Sequence, residues 1–236
     1  MSVTRLSVRT CVRYVVPLMV LSALVFAPLL YLAWRAKLPT TVPEGKSMIR
    51  LAWALLGASL VPLLVLVGGV APMVRAMAEG RPTSQARALG DGMRGLVRAV
   101  VPALLAMTAV VIGGLAFVVP GLALLVLFAM TGASTHAGAA RLTDVAERAR
   151  DRRTALVVAG TLMATFVVHA AAVWITQRGL AVPVPSKPRP EQLAQLIKLL
   201  RVAAITIALV APITAVVLAA IYGSSTSSET SVDRPS

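Results

Sequence analysis

The sequence predicts an all-α fold, a polytopic transmembrane bundle of about six helices, and three observations carry that reading. Of 236 residues, 58% are hydrophobic and only 14% charged, whereas soluble domains are about one quarter charged. Long apolar runs recur along the chain, each close to the ~20 residues that cross ~30 Å of hydrocarbon. Arg and Lys collect at the ends of those runs, where they set membrane topology. A soluble chain this apolar would expose large patches, whereas lipid solvates the same faces.

The elements follow in order. Residues 1–13, with Arg5, Arg9 and Arg13, form a basic cytoplasmic N-terminus. The first span covers 14–34 and is closed by Arg35 and Lys37; membrane helices tolerate its Pro17 and Pro28. It is longer than the apolar core of a secretory leader and lacks a small-residue cleavage site, so it reads as a retained helix. A polar connector leads to a second span, 51–74, ending at Arg75. Thr83 to Val97 reads as a short basic amphipathic helix lying at the interface, weakened by Gly90, Gly92 and Gly95.

Ala99 to Ala140 holds no Lys, Arg, Asp or Glu and is about twice the length of one crossing. Val119-Pro120-Gly121 divides it, giving a third span at 99–118 and a fourth at 122–139. A charged cytoplasmic helix covers 141–153, with Asp144 and Arg148 spaced for a helical ion pair. The fifth span is 154–176. Beyond a Pro-rich connector, Pro190 suits a first helical position and opens the helix that carries the sixth span, 199–222. The Ser/Thr-rich tail, 223–236, is expected to be disordered. The stretches beginning Val61-Pro62 and Val119-Pro120 read as tandem hairpins, with Arg94 and Arg152 at matching positions, as repeats in transporter folds do.

With both termini in the cytoplasm, 14 Lys and Arg lie inside and 9 outside, the expected bias. The formal charge of +14 is therefore assigned to topology and anionic lipid head groups, with no nucleic-acid partner. Arg-rich, Ala/Val/Leu-rich composition points to a GC-rich bacterial genome. Cys11 is the only cysteine, which excludes an intramolecular disulfide and a cysteine metal site.

No span contains Asp, Glu, Lys or Arg once Lys198 and Arg201 are placed at a helix end, an argument against ion-coupled transport. His169 falls in the middle of the fifth span and His136 at the cytoplasmic end of the fourth, too far apart in depth to share one haem. Gly132-Ala133-Ser134-Thr135 does not fit the serine motif of rhomboid proteases, and no phosphate-binding glycine loop is present. The expectation is no catalytic residue, no cofactor and no metal. Gly68-Gly69 and Gly113-Gly114 permit close helix contact.

The run Gly114-Leu-Ala-Phe-Val-Val-Pro120-Gly121-Leu122, followed by the charged segment Arg141 to Arg153, resembles the membrane domain of glycerophosphodiester phosphodiesterase-like proteins and related six-helix bacterial inner-membrane families. The resemblance covers about residues 55–220. The acidic-Gly and Arg-Ser-Leu features of that family's charged helix are absent, with Arg153-Thr154 in their place. It implies a fold and a location, and no catalytic residue.

Two functional expectations follow. The first is a non-enzymatic accessory or scaffold subunit, whose Arg94, Arg98, Arg148 and Arg152 meet anionic lipid, a membrane-protein partner or a second copy. The second is a transporter or channel for a lipid or neutral small molecule, with Thr108, Thr131, Thr161, Thr165 and His169 lining its path.

Overall fold

The computed structural model describes residues 2–36, 57–134, 139–179 and 190–229. The connectors expected at 37–50 and 180–189, the first residues of the second span, His136 and the last seven residues of the tail lie outside them. The described residues are helical: α1 (Val3–Arg13), α2 (Val15–Arg35), α3 (Leu60–Ala78), α4 (Gln85–Ala116), α5 (Val118–Phe128), α6 (Ala139–Arg150), α7 (Arg152–Gly179) and α8 (Pro190–Glu229). A 3₁₀ turn at Thr131–Ala133 closes α5. Five helices, α2, α3, α4, α7 and α8, are long and apolar enough to cross a membrane, and the protein is a multi-pass helical bundle.

Several elements differ from expectation, each for a local reason. Residues 3–13 form an amphipathic helix, started by the Ser2 hydroxyl accepting from Arg5 N and burying Leu6, Ser7 and Thr10. The helix expected at 83–97 is not a separate element. It is the first part of α4, which Ser84 caps and which runs on through Pro102 to Ala116. The break between the third and fourth spans falls at Phe117, extended at φ −159° and ψ 148°. Pro120 then sits in the first turn of α5, where its missing N–H leaves no gap. The fourth apolar run makes a helix of only 11 residues, about 16 Å long, before its 3₁₀ turn. At the other end, α8 passes Gly223 and runs on to Glu229, so residues 223–229 of the expected tail are helical. Lys198 and Arg201 lie within α8, and the Arg201 guanidinium stacks on Trp34 of α2, 5.1 Å from the ring centre.

α3 is the central helix, buried continuously from Leu63 to Ala71 and packed on α4 and α8. Its contact with α4 depends on glycine. A Cβ on Gly69 would sit 2.6 Å from Leu96 Cδ2, and one on Gly92 would meet the Gly69 carbonyl at 3.0 Å. Gly95 and Gly132 likewise press against the Gly68 backbone. Non-helical backbone at membrane depth is tolerated when buried in protein. The turn after α5 meets that condition, since Ala129, Met130, Thr131 and Ala133 are all buried.

Prolines organise the remaining crossings. A proline inside a helix cannot donate to the carbonyl four residues earlier, and at Pro212 and Pro72 that carbonyl serves another helix. Pro212 lies in α8, and the Ser22 hydroxyl of α2 donates to the Ala208 carbonyl at 2.5 Å. Pro72 lies in α3, and the carbonyl it releases, that of Gly68, faces the Gly95 Cα in the manner of a Cα–H···O contact.

Candidate functional site

An apolar cavity of about 680 Å³ opens between α2, the start of α3, α5, α7 and α8. Its volume falls within the roughly 300–1,000 Å³ of ligand pockets. Leu122, Leu125 and Val126 of α5 face Leu162, Met163 and Phe166 of α7 across it, with Phe26 and Val210 completing the wall. Residues 159, 162, 163, 166 and 169 recur at the helical spacing that keeps one face of α7 on the cavity.

Two of the five expected path residues come together here. Thr165 and His169 line the cavity one turn apart. Thr165 Oγ1 donates to the Thr161 carbonyl at 2.8 Å and lies 2.7 Å from Thr214 Oγ1 of α8. His169 is 7% exposed, and its Nδ1 is buried with no hydrogen-bond partner; such an atom costs about 1–3 kcal/mol. The other three lie elsewhere. Thr161 donates to its own Val157 carbonyl. Thr108 is exposed on α4 and bonded to Leu104 O. Thr131 is buried in the 3₁₀ turn, donating to Phe128 O. Ser59 lines the site as well, and Thr214 of α8 backs Thr165; neither was expected, since lone hydroxyls in apolar runs give no signal of the helix they face.

A second polar cluster lies at the end of the bundle that gathers α1, the 79–84 turn and α6. Asp144 of α6 accepts from the Tyr222 hydroxyl of α8 at 2.7 Å and the Ser134 hydroxyl at 2.8 Å. Its other oxygen takes Arg148 Nε at 2.8 Å, and the Arg148 guanidinium covers the Tyr222 ring at 5.1 Å. Burial pushes the Asp144 carboxyl up, but the hydrogen bonds from Tyr222, Ser134 and Arg148 outweigh it and hold it below its ordinary value. Arg141, 8% exposed, donates to the Arg98 carbonyl at 3.2 Å. That carbonyl lies four residues before Pro102 of α4, a third instance of the proline pattern. Tyr14, fully buried, ties the α1–α2 joint to the same end, taking the Thr83 N–H at 3.0 Å. Burial raises the Cys11 thiol above its ordinary value, which favours the protonated form.

The four arginines expected to meet lipid or a partner divide. Arg94 is 76% exposed, in an ion pair with Asp91 at 3.1 Å, and Arg98 and Arg152 are exposed too. Arg148 is not a surface cation: its side chain is 14% exposed and committed to Asp144. The i, i+4 spacing that marked the pair in the sequence also turns it inward. Among the described residues no group of three His, Cys, Asp or Glu side chains is placed to hold a metal. Gly68-Gly69 and Gly113 serve packing inside the chain, against α4 and α5 respectively.

Comparison with protein-family models, with curated proteins and with solved structures finds no match to this chain.

Proposed function

We propose that this is a non-enzymatic multi-pass protein of the bacterial inner membrane, with both termini cytoplasmic, that takes a lipid or neutral small molecule into its intramembrane cavity as a carrier or transporter. One observation carries the reading: an apolar cavity of about 680 Å³ with His169 and Thr165 in its wall and no charged side chain among its described lining. A neutral, largely apolar molecule needs no buried countercharge, and a charged one would be costly at that depth. The orientation is supported by α1, residues 75–98 and α6 with the start of α7, which carry three, five and five arginines and converge at one end through the Tyr14–Thr83 and Arg141–Arg98 bonds.

The test is native mass spectrometry of the protein extracted from its own membranes, beside an Ala159→Trp variant that fills the cavity. A lipid retained by the parent and released by the variant is the expected result. Equal lipid retention by both would overturn the reading. The exposed Arg94, Arg98 and Arg152 favour a second role, as an accessory or scaffold subunit held to anionic lipid or to a partner. A second protein at fixed stoichiometry in the same spectra would support that role, and a bare monomer or homo-oligomer would remove it.

A further inference from the structure

The cavity reading leaves open which part of a ligand the site recognises. Almost all of the described wall is hydrocarbon, and its polar groups are not equivalent. Thr165 is already engaged with Thr161 and Thr214, and Ser59 also has a partner. His169 differs: it lines the cavity, is more than nine-tenths buried, and its Nδ1 has no partner. A neutral imidazole offers one N–H and one lone pair. It can donate to a carbonyl or accept from a hydroxyl; Nδ1 is itself shielded, so a ligand meets the imidazole at the edge that lines the cavity. His169 also lies five residues before Trp174, an exposed aromatic near the far end of α7, hence about 7–8 Å deeper along the helix. At that depth a phosphate or ammonium head would be drawn out of water without a counterion in the wall, so the recognised group is uncharged.

Resting on the cavity reading of the previous section, we infer that the ligand is a long-chain lipid whose one recognised polar group is a neutral hydroxyl or carbonyl, held by His169, with its chain along Leu125, Leu162 and Phe166. His169 thereby selects among apolar molecules that would otherwise fill the cavity indifferently.

The experiment uses the full chain in phosphatidylcholine nanodiscs and four probes of equal chain length, each with a mid-chain diazirine: a primary alcohol, a methyl ketone, an alkane and an alkyl phosphate. Photolabelling of the α5 and α7 peptides is read by mass spectrometry. The expected result is that the alcohol or the ketone labels roughly tenfold better than the alkane, the worth of one buried hydrogen bond. His169→Leu brings that ratio to near one, and His169→Gln, which keeps a donor and an acceptor, restores part of it. If the leucine variant does not fold, the ranking of probes on the parent and on His169→Gln decides. Equal labelling by alkane, alcohol and ketone on the parent would overturn the head-group inference while leaving the cavity reading intact. Strongest labelling by the phosphate would overturn it in favour of an anionic ligand. No labelling at the cavity by any probe would remove the cavity reading itself.

Discussion

Arg141 donates to the carbonyl of Arg98 at 3.2 Å, and that carbonyl is the one whose helical donor Pro102 replaces. The proline that weakens α4 therefore supplies the acceptor that docks α6. The same pairing of a helix proline with a donor from elsewhere in the fold recurs at Pro212, Ala208 and Ser22.

This makes the two residues energetically dependent. Arg141→Met is expected to cost about 1.5–3 kcal/mol, the range for a hydrogen bond to a charged donor. In a Pro102→Ala background the restored backbone N–H fills the Arg98 carbonyl, and the cost of Arg141→Met falls below about 1 kcal/mol. A double-mutant cycle on unfolding in detergent measures the coupling. Strict additivity would show that the carbonyl is not the point of contact.

Asp144 sets an acid limit on the end of the bundle that holds α6. Its carboxyl is held below the ordinary value of 3.8, so the folded state binds the proton more weakly than the unfolded chain. That stabilisation is complete above the unfolded value and is lost as pH falls through the depressed folded one. Thermal unfolding should therefore drop below about pH 4 in the parent more steeply than in Asp144→Asn. At pH 7, Asp144→Ala should cost about 2–4 kcal/mol, because Tyr222 and Arg148 lose their acceptor together.

Glycine substitutions should split by position. Gly95→Leu drives a side chain into the Gly68 backbone and should destabilise by about 3 kcal/mol, at the upper end for overpacking. Gly90, in the same helix, has nothing within 4 Å of an added Cβ. Gly90→Ala should stabilise by about 1 kcal/mol through helix propensity alone. Guanidinium or SDS titration of both variants checks the contrast.

Among the arginines, charge removal should affect lipid and fold separately. Arg94→Gln, Arg98→Gln and Arg152→Gln together should weaken capture of anionic vesicles by about 1 kcal/mol per residue at unchanged stability. Arg148→Gln should do the reverse, lowering stability while leaving capture nearly intact. Vesicle co-sedimentation and thermal unfolding distinguish the two sets.

Much of this architecture was legible in the sequence because lipid imposes a coarse rule: the ends of α2 and α7 lie where charges bracket apolar runs. The Gly68-Gly69 contact was legible too, since small residues have little other use in such a stretch. α1 was missed because Arg5, Arg9 and Arg13 read as a basic flank, while its buried face is the weakly apolar set Leu6, Ser7 and Thr10. The site was half legible. Thr165 and His169 stand out as polar residues one turn apart in an apolar helix, but no local signal separates them from Thr108 or Thr161. What separates them is which face α7 turns toward α5 and α8. Arg148 was illegible for a related reason: a cationic residue near a helix end is usually solvated, and only the position of Tyr222, far along the chain, draws it inward.

The 11-residue α5 carries Leu122, Leu125 and Val126, one wall of the cavity. Even counted to Ala133, this apolar stretch measures about 24 Å against a hydrocarbon layer of ~30 Å. Thinning of the leaflets on this flank would meet the shortfall, at a fraction of a kcal/mol per Å of mismatch. Acyl-chain length thus becomes a control on the protein: bilayers of shorter chains fit the flank beside the cavity without strain, and thicker ones bear on it from both sides.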